Sequence, residues 1–292
     1  MIGFVAFLGA LWGSFANVCI YRLPPTEAFP RGQSVVAPGS HCFACGASVR
    51  WYDNVPLLSY LWLRGQCRDC KAEFSPRYLL VEAGLSLLFA AVFYSIVAIE
   101  YTGDTPKEQL LRFAIMAAFC FTMMVIAFID LDHHLILNKV TYIAIPVFYG
   151  LGLLLPEAHW QTGLIGAAVG YGGIRGIADL FWLLTKREGM GYGDGKLLAI
   201  VGALFGWQGV FVALFLGSVI GTVILVPIMV GKRIFSAKVQ EPSGDGEIPA
   251  GDEGQLADWR QVEIPFGPFL TAAAVAYVFL EARLRVEFFF LW

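Results

Sequence analysis

Apolar residues fill runs of about 20 positions along this chain, the length a helix needs to cross hydrocarbon, and short polar stretches separate them. The runs fall at 2–20, 79–99, 110–129, 140–156, 162–184, 195–206, 209–231 and 265–282. They predict an all-α polytopic membrane protein with about eight transmembrane helices. The run 195–206 is short and glycine-rich, so it is the weakest of the set. The first run lacks a basic leading segment and a small-residue cleavage site, so 1–20 is expected to be helix 1 and not a cleaved signal. The polar stretch 21–78 is expected as a loop domain between helices 1 and 2, and 79–292 as the remaining membrane domain. Residues 236–258 are rich in Gly, Pro, Glu and Asp, so the loop 232–264 is expected to be flexible.

Composition agrees with the pattern. The chain is 58% hydrophobic and 15% charged, with a mean hydropathy of +0.66. Soluble domains carry roughly 45–50% apolar and about 25% charged residues. Membrane lipid is therefore the implied surroundings. A net charge of −3 without a basic stripe gives no reason to expect nucleic acid. Lysine and arginine then orient the helices. With the N-terminus outside, the cytoplasmic stretches hold Arg22, Arg31, Arg50, Arg64, Arg68, Lys71, Arg77, Lys139, Lys186, Arg187, Lys196, Lys232, Arg233, Lys238 and Arg260. The outer stretches hold only Lys107, Arg112, Arg283 and Arg285. Both chain termini then lie outside.

Two acidic motifs end up on that same cytoplasmic face. Gly189-Met-Gly191-Tyr-Gly193-Asp194-Gly-Lys196 sets a carboxylate in a glycine-dense turn, expected just before the sixth helix. Ile129-Asp130-Leu131-Asp132 ends the third. A carboxylate beside lipid is costly and tends to have a function. Either motif alone reads as a polar helix end; the two together point to an aspartyl protease that cuts at the membrane surface. Glycines without Cβ let a substrate backbone come close.

Cys42-x-x-Cys45 and Cys67-x-x-Cys70, 21 residues apart, form two knuckles on the same face. Four thiolates complete the tetrahedral shell of a structural zinc ion, and the reducing cytoplasm disfavours the alternatives of two disulfides or a redox pair. Cys19 and Cys120 lie in apolar helices and are expected to be packing residues. His133 and His134 are adjacent and lack the spacing of a helical zinc-protease pair. Arg175 and Asp179 stand at an i, i+4 spacing that allows an intrahelical ion pair. No internal repeat is evident.

Asp130 with Ile136 and Asn138, combined with the glycine-rich run around Asp194, resembles the type IV prepilin peptidases, the Gly-x-Gly-Asp aspartyl proteases. Gly13-Ser-Phe-Ala-Asn17-Val-Cys-Ile-Tyr-Arg22-Leu-Pro24, the four cysteines, Asn54-Val-Pro-Leu-Leu-Ser-Tyr60 and Ile264-Pro-Phe-Gly267-Pro268 extend the likeness over most of the chain. Leu137 and Leu79 stand where the family usually has proline. The resemblance implies catalytic Asp130 and Asp194, with Asp130 preferred to Asp132, and an active-site loop containing Gly189, Gly191, Gly193 and Lys196. It also implies structural Zn2+, a location in the bacterial inner membrane, and prepilin or pseudopilin substrates cleaved at the cytoplasmic face.

Two neighbouring carboxylates cannot comfortably both ionise, so such a pair shares one proton and can act as acid and base together. The resemblance further implies S-adenosyl-L-methionine-dependent N-methylation of the new N-terminus. Its site residues are open within the region Arg22 to Arg77, where Trp51, Tyr52 and Tyr60 are available to build a pocket. The rival class is a proton- or cation-coupled transporter or assembly factor with a zinc ribbon. That reading expects acids spread through the bilayer depth and matched halves of the chain.

Overall fold

The computed structural model describes residues 1–27, 29–30, 32–100, 105–156, 159–186, 191–239 and 265–287. These form α1 (Ile2–Arg22), α2 (Leu58–Trp62), α3 (Arg77–Tyr94, continued by the π-helical Ser95–Glu100), α4 (Pro106–His133), α5 (Asn138–Gly152), α6 (Trp160–Thr185), α7 (Tyr192–Val239) and α8 (Gly267–Glu287). Among the described residues there are no strands, only two isolated bridges in the cysteine region.

Each predicted apolar run is mostly helical, although the spans differ in length. Among the described residues, five helices are long and apolar enough to cross a membrane: α1, α3, α4, α6 and α7. The predicted sixth and seventh spans are the two arms of α7, and they part at Gly206, whose φ of 76° and ψ of −174° are not helical and lie where glycine alone is comfortable. α5 has only 15 residues, and the apolar part of α8 is Gly267–Glu281. α7 also continues as helix to Val239, eight residues into the stretch expected as a loop from 232. The rest of that loop, and Gly189, lie outside the described residues.

Close helix packing follows from small residues, as expected where lipid removes the hydrophobic drive between helices. Gly9 and Gly13 of α1 sit against the backbone of α3, and a Cβ on either would collide with it. Gly166 and Gly170 of α6 meet Gly202 and Leu198 of α7 in the same way. Two apolar clusters result. One joins α1, α3 and α4 and contains Cys19; the other joins α4 to α8 and contains Cys120. Both cysteines are buried packing residues.

The two leucines in proline positions are conformationally neutral. Leu137 caps α5 with φ −68°, the angle that proline would impose. α3 begins two residues before Leu79, and Pro76 occupies its N-cap.

Candidate active site

Three helix ends and one connecting loop meet around the two aspartates. Asp130 lies in the last turn of α4 and is 5% exposed. A carboxylate is poorly placed at a helix C-terminus, where the carbonyls carry the negative end of the macrodipole. The first residue of α8 compensates: the Gly267 amide donates a hydrogen bond to the Asp130 carboxylate. The fit is so close that a Cβ at Gly267 would overlap Asp130 Oδ2. Asp194 belongs to the first turn of α7, which starts at Tyr192, and not to the segment before it. That end of a helix favours negative charge. Asp194 is half-buried and within electrostatic reach of Asp130.

Ile136 holds the arrangement together from the α4–α5 loop. A Cβ on Gly193 would stand 3.0 Å from Ile136 Cβ, and one on Gly267 would stand 3.5 Å from Ile136 Cδ1. The absence of a side chain at Gly193 therefore lets α7 close on Ile136, while Gly267 lies at ordinary contact distance from the same residue. Lys196 leans toward α5, where its Nζ donates to Asn138 Oδ1 at 2.5 Å and lies 5.3 Å from the Tyr142 ring centre. Lys196 thus ties α7 to α5. Gly191 is exposed, and its carbonyl accepts from the Asp194 amide at 3.3 Å.

Asp132 is engaged elsewhere, in an ion pair with Arg77 at the start of α3. Arg175 and Asp179 form the expected pair at 3.4 Å, about half exposed, with Arg175 also over the Tyr192 ring. Two neighbours of Asp130 escaped the sequence reading. His134 caps α4 in the left-handed conformation and lies within electrostatic reach of Asp130. Gly267 was visible only as part of an unexplained Pro-Phe-Gly-Pro stretch.

The four knuckle cysteines converge, with their Sγ atoms all within 4.8 Å of one another. The knuckles repeat one geometry. The Cys42 amide donates to the Ala47 carbonyl at 2.9 Å and the Cys67 amide to Ala72 at 2.8 Å. Bridges His41–Ser48 and Gln66–Glu73 close the two hairpins. Gly46 and Lys71 take the equivalent positive φ of 70° and 63°. A short structural repeat is therefore present that the amino-acid pattern did not reveal. Amides of Cys45 and Ala44 lower the Cys42 pKa to about 6, favouring thiolate. Cys42 and Cys70 Sγ atoms are 3.7 Å apart and all four thiols are free. With metal–sulfur bonds of about 2.3 Å, the edge of a tetrahedron is about 3.8 Å. The cluster suits one tetrahedral ion.

Next to this lobe lies a cavity of about 450 Å³, walled by α1, the cysteine lobe and the start of α3. Tyr60 lines it, whereas Trp51 and Tyr52 do not, and neither aspartate of the pair reaches it.

Two carboxylates held together by the ends of apolar helices define a class, that of membrane-embedded acid-pair proteins. Residues 117–226 match the model of the Type IV leader peptidase family, and residues 7–96 match that of the Bacterial Peptidase A24 N-terminal domain. The chain is 32% identical over 291 residues to a prepilin leader peptidase/N-methyltransferase of Stutzerimonas stutzeri, covering 92% of each. It is 33% identical to the protein of that name from Pseudomonas putida, covering 87% of this chain and 88% of the other. With that from Dichelobacter nodosus the identity is 35%, covering 76% and 81%. This chain belongs to the type IV leader peptidase family. No solved structure matches it.

Proposed function

We propose that this protein is an aspartyl endopeptidase of the bacterial inner membrane that removes the leader of type IV prepilins or type II secretion pseudopilins and then N-methylates the new N-terminus. The observation that carries the peptidase reading is the meeting of Asp130 and Asp194 at three helix ends, in a chain whose relatives bear the name prepilin leader peptidase/N-methyltransferase. One carboxylate takes a proton from water, which attacks the scissile carbonyl. The other, protonated, donates to the carbonyl oxygen as charge develops there. Engagement of Asp132 by Arg77 favours Asp130 as the first acid. The exposed glycine backbone before Asp194 suits an extended substrate strand.

The four cysteines hold structural zinc in this reading, with no coordination position left open for catalysis. Both termini lie outside and the acid pair faces the cytoplasm, as the distribution of lysine and arginine favours. Residues 1–20 form the first span, 21–78 the zinc lobe with the methylating region, and 79–292 the peptidase domain. A transporter needs acids spread through the bilayer depth; here both come to one end of the bundle. The test is co-expression with a prepilin carrying a short basic leader, followed by the mass of the mature N-terminus. Loss of the leader with addition of one methyl group is expected; a full-length precursor would refute the reading.

A further inference from the structure

Two stretches, Gly13–Pro24 and Asn54–Tyr60, have no part in the acid pair. Both reach the same place, the cavity of about 450 Å³ beside α1. α1 contributes Ser14, Asn17 and Tyr21, the cysteine lobe Tyr60 and Phe74, and α3 Glu82. The volume is in the range of small-molecule sites, roughly 300–1,000 Å³.

Its polar groups are selective. Asn17 is 4% exposed, and its Nδ2 donates to the Tyr78 carbonyl at 3.0 Å. Its Oδ1 is buried without a hydrogen-bond partner, an unfavourable state that a donor or a positive group would relieve. Glu82 is 8% exposed and accepts from the Leu57 amide at 2.7 Å and from Ser14. Arg22, the buried cation that also lines the cavity, donates to the Ser34 and Gly39 carbonyls at 3.1 and 3.3 Å. Asp53, which also lines the cavity, is different: Arg68 grips it with bonds of 2.7 and 2.5 Å and holds its carboxyl below the usual range. The buried acceptors on this cavity other than Asp53 are Asn17 and Glu82, set beside aromatic walls. Such walls stack flat rings and attract cations.

We infer that this cavity binds a sulfonium nucleoside methyl donor, with Asn17 Oδ1 and Glu82 facing its positive charge and Tyr21, Tyr60 and Phe74 walling its flat base. The inference rests on the methyltransferase reading above and gives it a site. Bound there, the donor supplies an electrophilic methyl group. The site is wider than the stretch Arg22 to Arg77, because α1 and α3 provide its two buried acceptors.

The test uses the full chain in lipid nanodiscs and equilibrium binding of radiolabelled S-adenosylmethionine. Wild type is expected to bind one molecule per chain. Asn17→Leu and Glu82→Gln are expected to weaken binding at least about tenfold, since a dipole or a negative charge facing the sulfonium is lost. Glu82→Gln should weaken S-adenosylhomocysteine, which lacks the sulfonium charge, clearly less. Equal binding by wild type and both variants would overturn the site while leaving the methyltransferase reading intact. No binding by wild type would overturn both. If the variants lose their zinc and misfold, photo-cross-linking of S-adenosylmethionine to wild type decides. Label in 14–22, 53–66 or 74–82 supports the site, and label confined to 130–196 overturns it.

Discussion

The acid pair and the cavity lie at the same end of the bundle, yet they are built in opposite ways. Around Asp130 and Asp194 the parts are helix ends packed on one another, fixed by Ile136, by Gly193 tight against it and by Gly267, where a Cβ would overlap Asp130. Around Asn17 and Glu82 the parts are open, and half of the wall is a small lobe organised by four cysteines. The difference follows from the chemistry each can serve. Peptide hydrolysis needs two carboxylates at fixed separation and a water molecule; binding a nucleoside needs volume, flat walls and buried acceptors. The two meet at the apolar cluster that joins Ile20 to Ile129 and at the base of α3. There Arg77 pairs with Asp132 while Tyr78 receives Asn17.

The hardest break strikes the rigid site. Asp130→Asn and Asp194→Asn are each expected to lower prepilin cleavage by roughly 10²–10⁴-fold, since each keeps its shape and loses the exchangeable proton. Asp132→Asn should keep most activity. An inactive Asp132→Asn beside an active Asp130→Asn, measured on the same prepilin, would reverse the choice of first acid. Next comes Gly267→Ala, whose new Cβ must displace the Asp130 carboxylate. A shift of about 1 Å is worth around 10²-fold in rate. Cleavage by this variant should fall by that order while zinc content stays at one per chain.

Cys67→Ser should reverse this pattern. Metal binding and folding of such lobes are coupled, so zinc should be lost and methylation should fall at least as far as cleavage. Metal analysis of wild type showing no zinc, or unchanged zinc in Cys67→Ser, would contradict the cluster assignment. The smallest effect belongs to Arg175→Ala. An i, i+4 surface pair contributes about 0.3–0.5 kcal/mol, so thermal unfolding should shift slightly and both activities should persist.

How much of this was legible in the sequence tracks the same contrast. Asp194 announces itself because a carboxylate in a glycine-rich turn between apolar runs is costly and conspicuous. The cysteines do so because their spacing is a geometric requirement. Gly267 beside Asp130 could not be read, since nothing local links residues so far apart in the chain. The cavity was hidden for the same reason. Tyr60 was picked out from the loop and Asn17 as part of the Gly13–Pro24 motif, but nothing local shows that they meet Glu82 at one cavity. The break between the predicted sixth and seventh spans was legible, because Gly206 between two apolar runs takes a backbone conformation that no helix holds. The start of α7 was missed because Gly-Tyr-Gly reads as a turn, although Tyr192–Asp194 already forms helix.

One measurement tests directly whether there are two sites. A pilin already cleaved and bearing a free N-terminal residue is presented, with S-adenosylmethionine, to wild type and to Asp194→Asn, and the mass of its N-terminus is read. Methylation by both proteins is the predicted result, because the cavity does not use the acid pair. Methylation by wild type alone would mean that one site performs both reactions, and the division between the rigid pair and the open cavity would be wrong.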